Sequence, residues 1–133
     1  MKKHYEVVSA IFIENDKVFC CKRKNGGECS LKWEFPGGKI ELGETKEQAL
    51  KREIREELDA EIEINRYLNT IKYEYKTFIL TMHNYLCSFK TNYRLVEHTD
   101  CAFCTIEQMK KMDFAEADFQ MFDLIEETIK NIK

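Results

Sequence analysis

The sequence predicts an α/β fold in which a mixed β-sheet carries helices on both faces. Strand-length runs of apolar and β-branched residues recur along the chain, and two other segments repeat their apolar residues at the helical period of about 3.6. Strands and helices in this order are typical of a layered sheet-and-helix domain. Of the 133 residues, 44% are hydrophobic and 34% charged, so we expect one compact domain over residues 1–133.

The chain opens with a predicted β-hairpin. Tyr5–Ile13 is apolar and β-branched, Asn15-Asp16 is typical of a turn, and Val18–Cys21 forms a second strand. Three basic residues, 22–24, follow the hairpin. They either line the entrance to a binding site or form a solvated strand end, and the sequence leaves both interpretations open.

A helix is predicted after a glycine-containing loop. Residues 36–38, Pro-Gly-Gly, supply a backbone that can approach a ligand closely, and Thr45 is placed as a helix N-cap. The helix carries an apolar stripe of Leu50, Ile54 and Leu58, which predicts that one face packs against the sheet.

A separate face of this helix is acidic. Glu53, Glu56 and Glu57 stand at positions i, i+3 and i+4, and so share one narrow sector at about 100 degrees of turn per residue. Like charges at this spacing are unfavourable by a few tenths of a kcal/mol per pair, roughly, which favours a bound cation. The alternative is a solvated, charge-rich helix, but the adjoining glycine loop favours a divalent-metal site.

The second half of the chain predicts two long strands, a loop, a short strand and two helices. Ile62–Tyr75 alternates apolar and charged residues, and Phe78–Phe89 is its antiparallel partner. A polar loop, Lys90–Thr99, leads to a short strand, Cys101–Thr105, and a helix, Ile106–Lys111.

The last helix is predicted to begin at Phe119, with Asp118 as its N-cap. Its apolar residues keep near-helical spacing: Phe119, Phe122, Ile125, Ile129 and Ile132.

Composition disfavours several classes of function. The net charge of −3 provides no basic field for a nucleic-acid polymer. No apolar run approaches the roughly 20 residues that span a bilayer, and the N-terminus lacks a signal-peptide pattern, so we expect a cytoplasmic protein with no membrane partner. Six cysteines in apparent strands suggest reduced thiols. We interpret the Cys101–Cys104 CxxC as core packing, with zinc or redox chemistry as the less favoured alternative.

The central helix and its loop closely resemble the Nudix box. The spacing is Gly38, five residues, Glu44, seven residues, Arg52-Glu53-Ile54, one residue, Glu56-Glu57. The box normally ends Glu-Glu-x-Gly-aliphatic, and here Asp59 replaces the glycine. Aspartate tolerates the left-handed conformation of a helix end, so the helix is expected to end there.

Residues 33–41 also resemble the corresponding segment of MutT-type members of the Nudix family. This resemblance implies an α/β/α sandwich with a mixed sheet. It also implies a Mg²⁺-dependent pyrophosphohydrolase, with Mn²⁺ as an alternative ion, that converts a nucleoside triphosphate to monophosphate and pyrophosphate. Two alternatives stay open: hydrolysis of another nucleoside diphosphate derivative, and a non-catalytic nucleotide-binding module. A monomer and a homodimer are both compatible with the sequence.

The resemblance assigns roles to individual residues. Glu53, Glu56 and Glu57, with a backbone carbonyl near Gly37 or Gly38, would hold the metal ions. Arg52 would orient a motif glutamate, Glu44 would be a structural or outer acid, and Glu97 would bring a further carboxylate to the metals from its loop. Substrate contacts are implied for Arg23, Phe35, Lys39, Asp118 and Phe119.

Asp118 has two competing interpretations. As an N-cap it would stabilise the last helix by about 1 kcal/mol and discriminate nothing between nucleotides. In MutT-type relatives the matching position hydrogen-bonds the base edge, and Phe119 or Phe35 would flank the ring. On that interpretation we expect an oxidised guanine nucleotide such as 8-oxo-dGTP to be preferred, with a CTP or dCTP-type nucleotide second.

Overall fold

A mixed β-sheet forms the centre of the molecule, and a computed structural model describes it for residues 1–132. Within these residues the sheet has seven strands, and four helices accompany it. In chain order the elements are β1 (Lys3–Glu14), β2 (Lys17–Lys22), β3 (Trp33–Glu34), β4 (Gly37–Lys39), α1 (Lys46–Leu58), β5 (Ile62–Glu74), β6 (Phe78–Phe89), β7 (Asp100–Cys104), α2 (Ile106–Lys110), α3 (Glu116–Phe119) and α4 (Phe122–Ile132).

Strand β1 organises the sheet. It runs parallel to β6, in a register that pairs Lys3 with Phe78 and Phe12 with Cys87, and antiparallel to β2 and β4. Strands β5 and β6 form the predicted antiparallel pair, and β2 also pairs with β3 and β7. The predicted opening hairpin is confirmed. Its turn residues, Asn15 and Asp16, both have positive φ, 52° and 63°, as tight hairpin turns require.

Helices cover both faces of the sheet, which confirms the predicted sandwich. On one face α1 buries its predicted stripe, with Leu50, Ile54 and Leu58 fully enclosed. On the other face α2, α3 and α4 contribute residues such as Met109 and Ile125 to a second core. None of the described helices is long and apolar enough to cross a membrane.

Helix α1 begins and ends at the residues that the sequence predicts. The Thr45 hydroxyl accepts a hydrogen bond from the Gln48 N–H at 3.1 Å, and the Gln48 side chain accepts one from the Thr45 N–H at 2.9 Å. This reciprocal capping satisfies two backbone donors at the helix start. At the other end Asp59 is left-handed, with φ 48° and ψ 45°, so the aspartate does take the place of the usual glycine.

The C-terminal segment differs from the prediction. The expected helix from Phe119 is divided into α3 and α4 by a turn at residues 120–121. Asp118 lies inside α3 and is not an N-cap, because the cap position is held by Ala115, which makes no side-chain capping bond. The prediction that Asp118 caps a helix is therefore wrong. The turn at residues 120–121 leaves the spacing of the apolar residues nearly helical, so the apolar pattern in the sequence does not reveal the break between α3 and α4.

The two cysteines of the CxxC point to opposite faces of β7. Cys101 packs against the core beneath α1, whereas Cys104 belongs to the core on the other face. Residues three apart on a strand cannot face one another, so the pair cannot chelate one ion together. The cysteines are free thiols, which agrees with their interpretation as packing residues.

Candidate active site

A cavity of about 780 Å³ opens between β1, the glycine loop and the acidic face of α1. Its walls include Glu53 and Glu57 from α1, Asp118 from α3 and Phe35 from the loop before β4. Arg23 and Lys39, two of the predicted substrate-binding residues, also line it. The fold thus brings residues from distant parts of the sequence to one space.

Glu57 is a buried acid. Only 7% of the residue is exposed, and its Oε1 accepts a hydrogen bond from the Gly37 N–H at 3.0 Å. Burial, followed by the charges of Glu34 and Glu53, raises the pKa of Glu57 to about 9. A carboxylate in this position requires positive charge nearby in order to ionise at neutral pH.

The two loop glycines are required for different reasons. A Cβ on Gly38 would lie 2.3 Å from the carboxyl carbon of Glu53, so a side chain there would displace this acid. A Cβ on Gly37 would lie 2.0 Å from the carbonyl oxygen of Val8 in β1, which is backbone and cannot yield. Glu53, the acid that Gly38 approaches, is itself partly buried, and this burial raises the pKa of its carboxyl group. The glycines therefore let the loop lie directly against the acids and the sheet.

Arg52 holds the remaining motif acids. Its Nε and one terminal nitrogen donate to the two carboxyl oxygens of Glu44 at 2.6 and 2.9 Å. The other terminal nitrogen donates to Glu53 at 2.9 Å and to Glu56 at 3.0 Å. The Glu56 side chain is 51% exposed and does not line the cavity.

A divalent cation fits the donors at this site. The acids of α1 supply carboxylate oxygens, which are the ligands that hard cations prefer. No three His, Cys, Asp or Glu side chains within residues 1–132 are already arranged as a metal site. In this arrangement Glu53 and Glu56 contact Arg52, and Glu57 contacts Gly37. Each of these contacts engages the Oε1 atom of its glutamate, so Oε2 is the oxygen that each acid would offer to an ion.

Asp118 faces the cavity with one carboxyl oxygen engaged. Its Oδ2 accepts a hydrogen bond from the Phe35 N–H at 2.8 Å. Burial, followed by the charge of Glu34, raises the pKa of Asp118 well above its usual range, which favours the protonated carboxyl group. A protonated carboxyl can donate to a carbonyl oxygen as well as accept.

The two aromatic residues that the sequence places beside a base behave differently. The Phe35 side chain is buried and contacts the rings of Phe114 and Phe122, while the residue still forms part of the cavity wall. Phe119 does not line the cavity. It is 52% exposed and contacts only the Phe122 ring among the aromatic groups described, so its predicted role beside a base is not supported by its position.

A second cavity of about 260 Å³ adjoins the first and shares Arg23, Glu34 and Glu57 with it. Its walls also include Glu97 and His98 from the loop before β7. The Val96 N–H donates to the carbonyl oxygen of Glu57 at 3.0 Å, which fixes this loop against the end of α1. Glu97 is thus near the α1 acids, as the resemblance implies.

Two residues of the site, Glu34 and His98, were not assigned a role from the sequence. Glu34 accepts a hydrogen bond from Arg23 at 3.1 Å on one oxygen and contacts His98 Nε2 at 2.9 Å through the other. Only 15% of the Glu34 side chain and 4% of the His98 side chain are exposed. The one sequence signal for them is position, since Glu34 lies in the motif segment and His98 follows Glu97.

Comparison with known proteins identifies the class of this site. The sequence pattern of the NUDIX domain matches residues 7–124, and the chain belongs to the NUDIX family. Its relatives place it more narrowly, among the MutT-type Nudix hydrolases.

The relatives are similar over most of the chain. A CTP pyrophosphohydrolase of Escherichia coli K12 is 31% identical over 122 residues, which are 91% of this chain and 90% of the relative. An 8-oxo-dGTP diphosphatase of the same organism is 38% identical over 82 residues, 62% of this chain and 64% of the relative. The solved MutT Nudix hydrolase of methicillin-resistant Staphylococcus aureus 252 is 35% identical, with a TM-score of 0.76, and the match covers 96% of this chain and 99% of that one.

Proposed function

We propose that this chain is a Mg²⁺-dependent pyrophosphohydrolase that splits a nucleoside triphosphate into a monophosphate and pyrophosphate. One observation carries the proposal: a single cavity contains both the carboxylates Glu53 and Glu57 and the buried carboxyl group of Asp118. A nucleotide has an anionic phosphate chain at one end and a polar heterocycle at the other. Glu53 and Glu57 would hold the cation that binds the phosphate chain, and Asp118 would contact the heterocycle. The names of the relatives, which act on CTP and 8-oxo-dGTP, support the same reaction class.

The metal ions in this proposal are held by residues of α1 and its surroundings. Glu53, Glu56 and Glu57 provide carboxylates, Glu97 adds one from its loop, and a backbone carbonyl near residues 37–38 completes the set. When bound, the ion supplies positive charge that neutralises the phosphate chain and makes water more acidic. Mn²⁺ offers the same charge and similar ligand preferences, so it is the alternative ion.

The side chains of this protein orient the metal ligands. Arg52 spans Glu44 and Glu53, and its bidentate contact with Glu44 restricts the guanidinium to one orientation. A fixed guanidinium in turn restricts the rotamers of the neighbouring acids. In this proposal Arg52 and Glu44 act as positioning residues, which reduces the reorganisation needed when the ligands gather around an ion.

The nucleoside end of the substrate is assigned to Asp118, Phe35 and Arg23. Burial favours the protonated form of the Asp118 carboxyl group, which donates to a base carbonyl, and its engaged oxygen keeps it in place against the Phe35 N–H. Oxidised guanine offers carbonyl acceptors beside ring N–H donors, and cytosine offers a carbonyl acceptor and, on the other side of its N3 acceptor, an amino donor. We propose an oxidised guanine nucleotide as the preferred substrate and a cytosine nucleotide as the second.

An activity screen tests the proposal directly. Canonical and oxidised ribo- and deoxyribonucleoside triphosphates are incubated with the protein and Mg²⁺, and pyrophosphate release is measured. We expect pyrophosphate and monophosphate in equal amounts, with the highest kcat/KM for an oxidised guanine or a cytosine nucleotide. Tight nucleotide binding without turnover would instead favour a non-catalytic binding module. Turnover restricted to nucleoside diphosphate derivatives would favour the other hydrolase class.

A further inference from the structure

Two basic side chains among residues 1–132, Arg23 and Lys39, line the larger cavity. One of them is neutralised by a neighbouring acid, because Arg23 donates to Glu34 at 3.1 Å. The Lys39 ammonium makes no hydrogen bond or salt bridge with any residue of this described range, although Glu41 and Glu53 line the same cavity. Lys39 therefore brings to the cavity wall a positive charge that no acid of the protein contacts.

The Lys39 ammonium lies over an aromatic ring. Its Nζ is 4.1 Å from the centroid of the Tyr5 ring, which is within the range of a cation–π contact. The negative face of the ring attracts the ammonium without neutralising it. An ammonium has three N–H donors, and those directed away from the ring stay available to a ligand. Tyr5 thus fixes the position of this charge and leaves it able to bind an anion.

The fold holds both members of this contact. Tyr5 pairs with Leu80 of β6, and its ring also contacts the Phe78 ring, with 5.6 Å between the centroids. Lys39 is the last residue of β4, and its carbonyl oxygen accepts a hydrogen bond from Arg52 at 2.9 Å. An exposed lysine loses rotamer freedom when it binds a ligand, so a contact that restricts the side chain beforehand reduces this cost.

The position of Lys39 in the cavity indicates which part of the nucleotide it contacts. Lys39 follows Gly38, the glycine that lies directly against the Glu53 carboxyl group. In the proposed function this is the end of the cavity that receives the phosphate chain. An ammonium is a compact point charge suited to a phosphate oxygen, whereas the base of the nucleotide is uncharged at neutral pH.

We infer that Tyr5 is a positioning residue, which holds the Lys39 ammonium in place for the phosphate chain of the nucleotide. The inference rests on the proposed function and adds Tyr5 to the residues that serve it. Tyr5 acts through Lys39, and the aromatic ring is the part of its side chain that does so. The phenol hydroxyl has no share in this role.

Three substitutions separate the ring from the ammonium. Lys39→Met removes the charge and keeps an unbranched side chain, Tyr5→Leu removes the ring, and Tyr5→Phe keeps it. The Kd values of non-hydrolysable analogues of 8-oxo-dGTP and CTP are measured with Mg²⁺. We expect the Kd to rise about 10-fold in Lys39→Met and about 3-fold or more in Tyr5→Leu. In Tyr5→Phe it should stay within about 1.5-fold of the wild-type value.

The double variant Tyr5→Leu, Lys39→Met tests whether the two residues act together. Without the ammonium the ring has nothing to hold, so the double variant should bind within about 1.5-fold of Lys39→Met alone. Losses that multiply in the double variant would show that Tyr5 acts independently of Lys39, and would overturn the inference.

The matching nucleosides, 8-oxo-deoxyguanosine and cytidine, separate the phosphate chain from the base. They carry no phosphate, so Tyr5→Leu should leave their Kd values unchanged. A loss of nucleoside affinity equal to the loss of triphosphate affinity would show that Tyr5 contacts the base, which would also overturn the inference.

A measurement without nucleotide keeps this inference separate from the proposed function. In ¹H–¹³C NMR spectra the ε-CH₂ protons of Lys39 should lie upfield of those of other lysines, because the ring current of Tyr5 shifts protons above its face. This shift should persist in Tyr5→Phe and disappear in Tyr5→Leu, and its absence from the wild-type protein would refute the contact. If the wild-type protein neither binds nor cleaves a nucleotide, the proposed function fails, and the spectra still decide whether Tyr5 holds Lys39.

Discussion

The Glu57 side chain lies in a buried environment that disfavours its ionised form. A buried acid of this kind indicates a binding site. Its carboxyl group is buried beside two other acids and contacts one backbone N–H. Nothing in the packing of α1 needs a charge there, since Leu50, Ile54 and Leu58 already fill the core. An acid that reduces stability and serves no packing role is expected to be retained for function.

Glu57→Gln should therefore separate activity from stability. Glutamine keeps an oxygen that accepts from the Gly37 N–H but removes the charge that a cation needs. We expect kcat to fall by about 100-fold or more, with the melting temperature in EDTA at pH 8 equal to or above that of the wild type. Turnover and differential scanning calorimetry measure the two effects. A near-normal kcat at saturating Mg²⁺ would show that Glu57 is not a primary ligand.

A substitution at Asp118 tests how the site selects the base of the nucleotide. Asp118→Ala removes the group proposed to contact the base, so kcat/KM for the preferred nucleotide should fall by about 10-fold or more. Poor substrates should change less, because they do not use this contact fully. Steady-state kinetics on several nucleotides measure the difference. Equal losses for every base, together with a lower melting temperature, would indicate a structural role alone.

Glu97 is exposed in its loop. We expect it to contribute more to the rate of the reaction than to the affinity for the substrate. Glu97→Gln should lower kcat more than it raises KM, because a proton acceptor or outer ligand acts mainly in the transition state. The matched control is Glu107→Gln, a substitution in the first turn of α2, outside the residues that line either cavity. An unchanged rate and pH profile for Glu97→Gln would remove Glu97 from the site.

The acidic face of α1 was predictable from the sequence, whereas the contact between Glu34 and His98 beside it was not. Spacing along a helix defines which residues share a face, so Glu53, Glu56 and Glu57 could be grouped at once. Glu34 and His98 meet across the sheet from positions 64 residues apart, and no local pattern encodes that contact. The sequence also did not predict which of these acids would be exposed. Glu56 lies on the same face of α1 as Glu57, yet about half of its side chain is in solvent.

At the scale of elements, the contact between β4 and α1 sets the geometry of the site. Gly38→Ala would push a methyl group into the Glu53 carboxyl, which is the flexible end of a side chain. Gly37→Ala would meet the β1 backbone instead. We expect Gly38→Ala to fold and to bind Mg²⁺ more weakly, and Gly37→Ala to lower the melting temperature strongly. Calorimetry of Mg²⁺ binding and thermal unfolding distinguish the two. Similar behaviour of both variants would contradict this explanation.

Elements with strong local signals were the ones that the sequence predicted correctly. The caps of α1, the β1–β2 turn and the β5–β6 pair all rest on short-range chemistry, and each lies where expected. Asp118 instead lies inside α3 and turns its carboxyl group toward the Phe35 backbone N–H. That contact spans 83 positions and overrides the local preference of aspartate for a helix cap.

At the scale of the whole molecule, the buried acids make stability depend on pH. The folded chain raises the pKa of Glu57 to about 9 and of Asp118 to about 8, above their unfolded values of 4.5 and 3.8. Groups shifted upward favour the folded state below their unfolded pKa, and this contribution is lost as pH rises through the folded pKa. Stability without metal should thus decline between about pH 5 and pH 9.

Thermal unfolding in EDTA across this range measures the decline. Mg²⁺ should flatten it, because a bound cation favours the ionised carboxylates. The double variant Glu57→Gln, Asp118→Asn is the control and should show a weaker pH dependence in EDTA than the wild type. A melting temperature that rises steadily from pH 5 to pH 9 in EDTA would contradict the pKa shifts. Acids with lowered pKa values, such as Glu44 and Glu74, titrate below this range and do not obscure it.

The parallel pairing of β1 with β6 also determines how this chain can be made. The two strands are joined at positions 75 residues apart, as in the bond from Ser9 to Asn84. A ribosome that adds about 5–20 residues per second leaves roughly 4 to 15 seconds between their synthesis. Until β6 is synthesised, the edge of β1 from Lys3 to Phe12 has no β6 strand to pair with, and this stretch carries the apolar side chains of Val8, Ala10 and Phe12. An unpaired apolar edge of this kind recruits other strands, so aggregation during synthesis is expected to begin at β1.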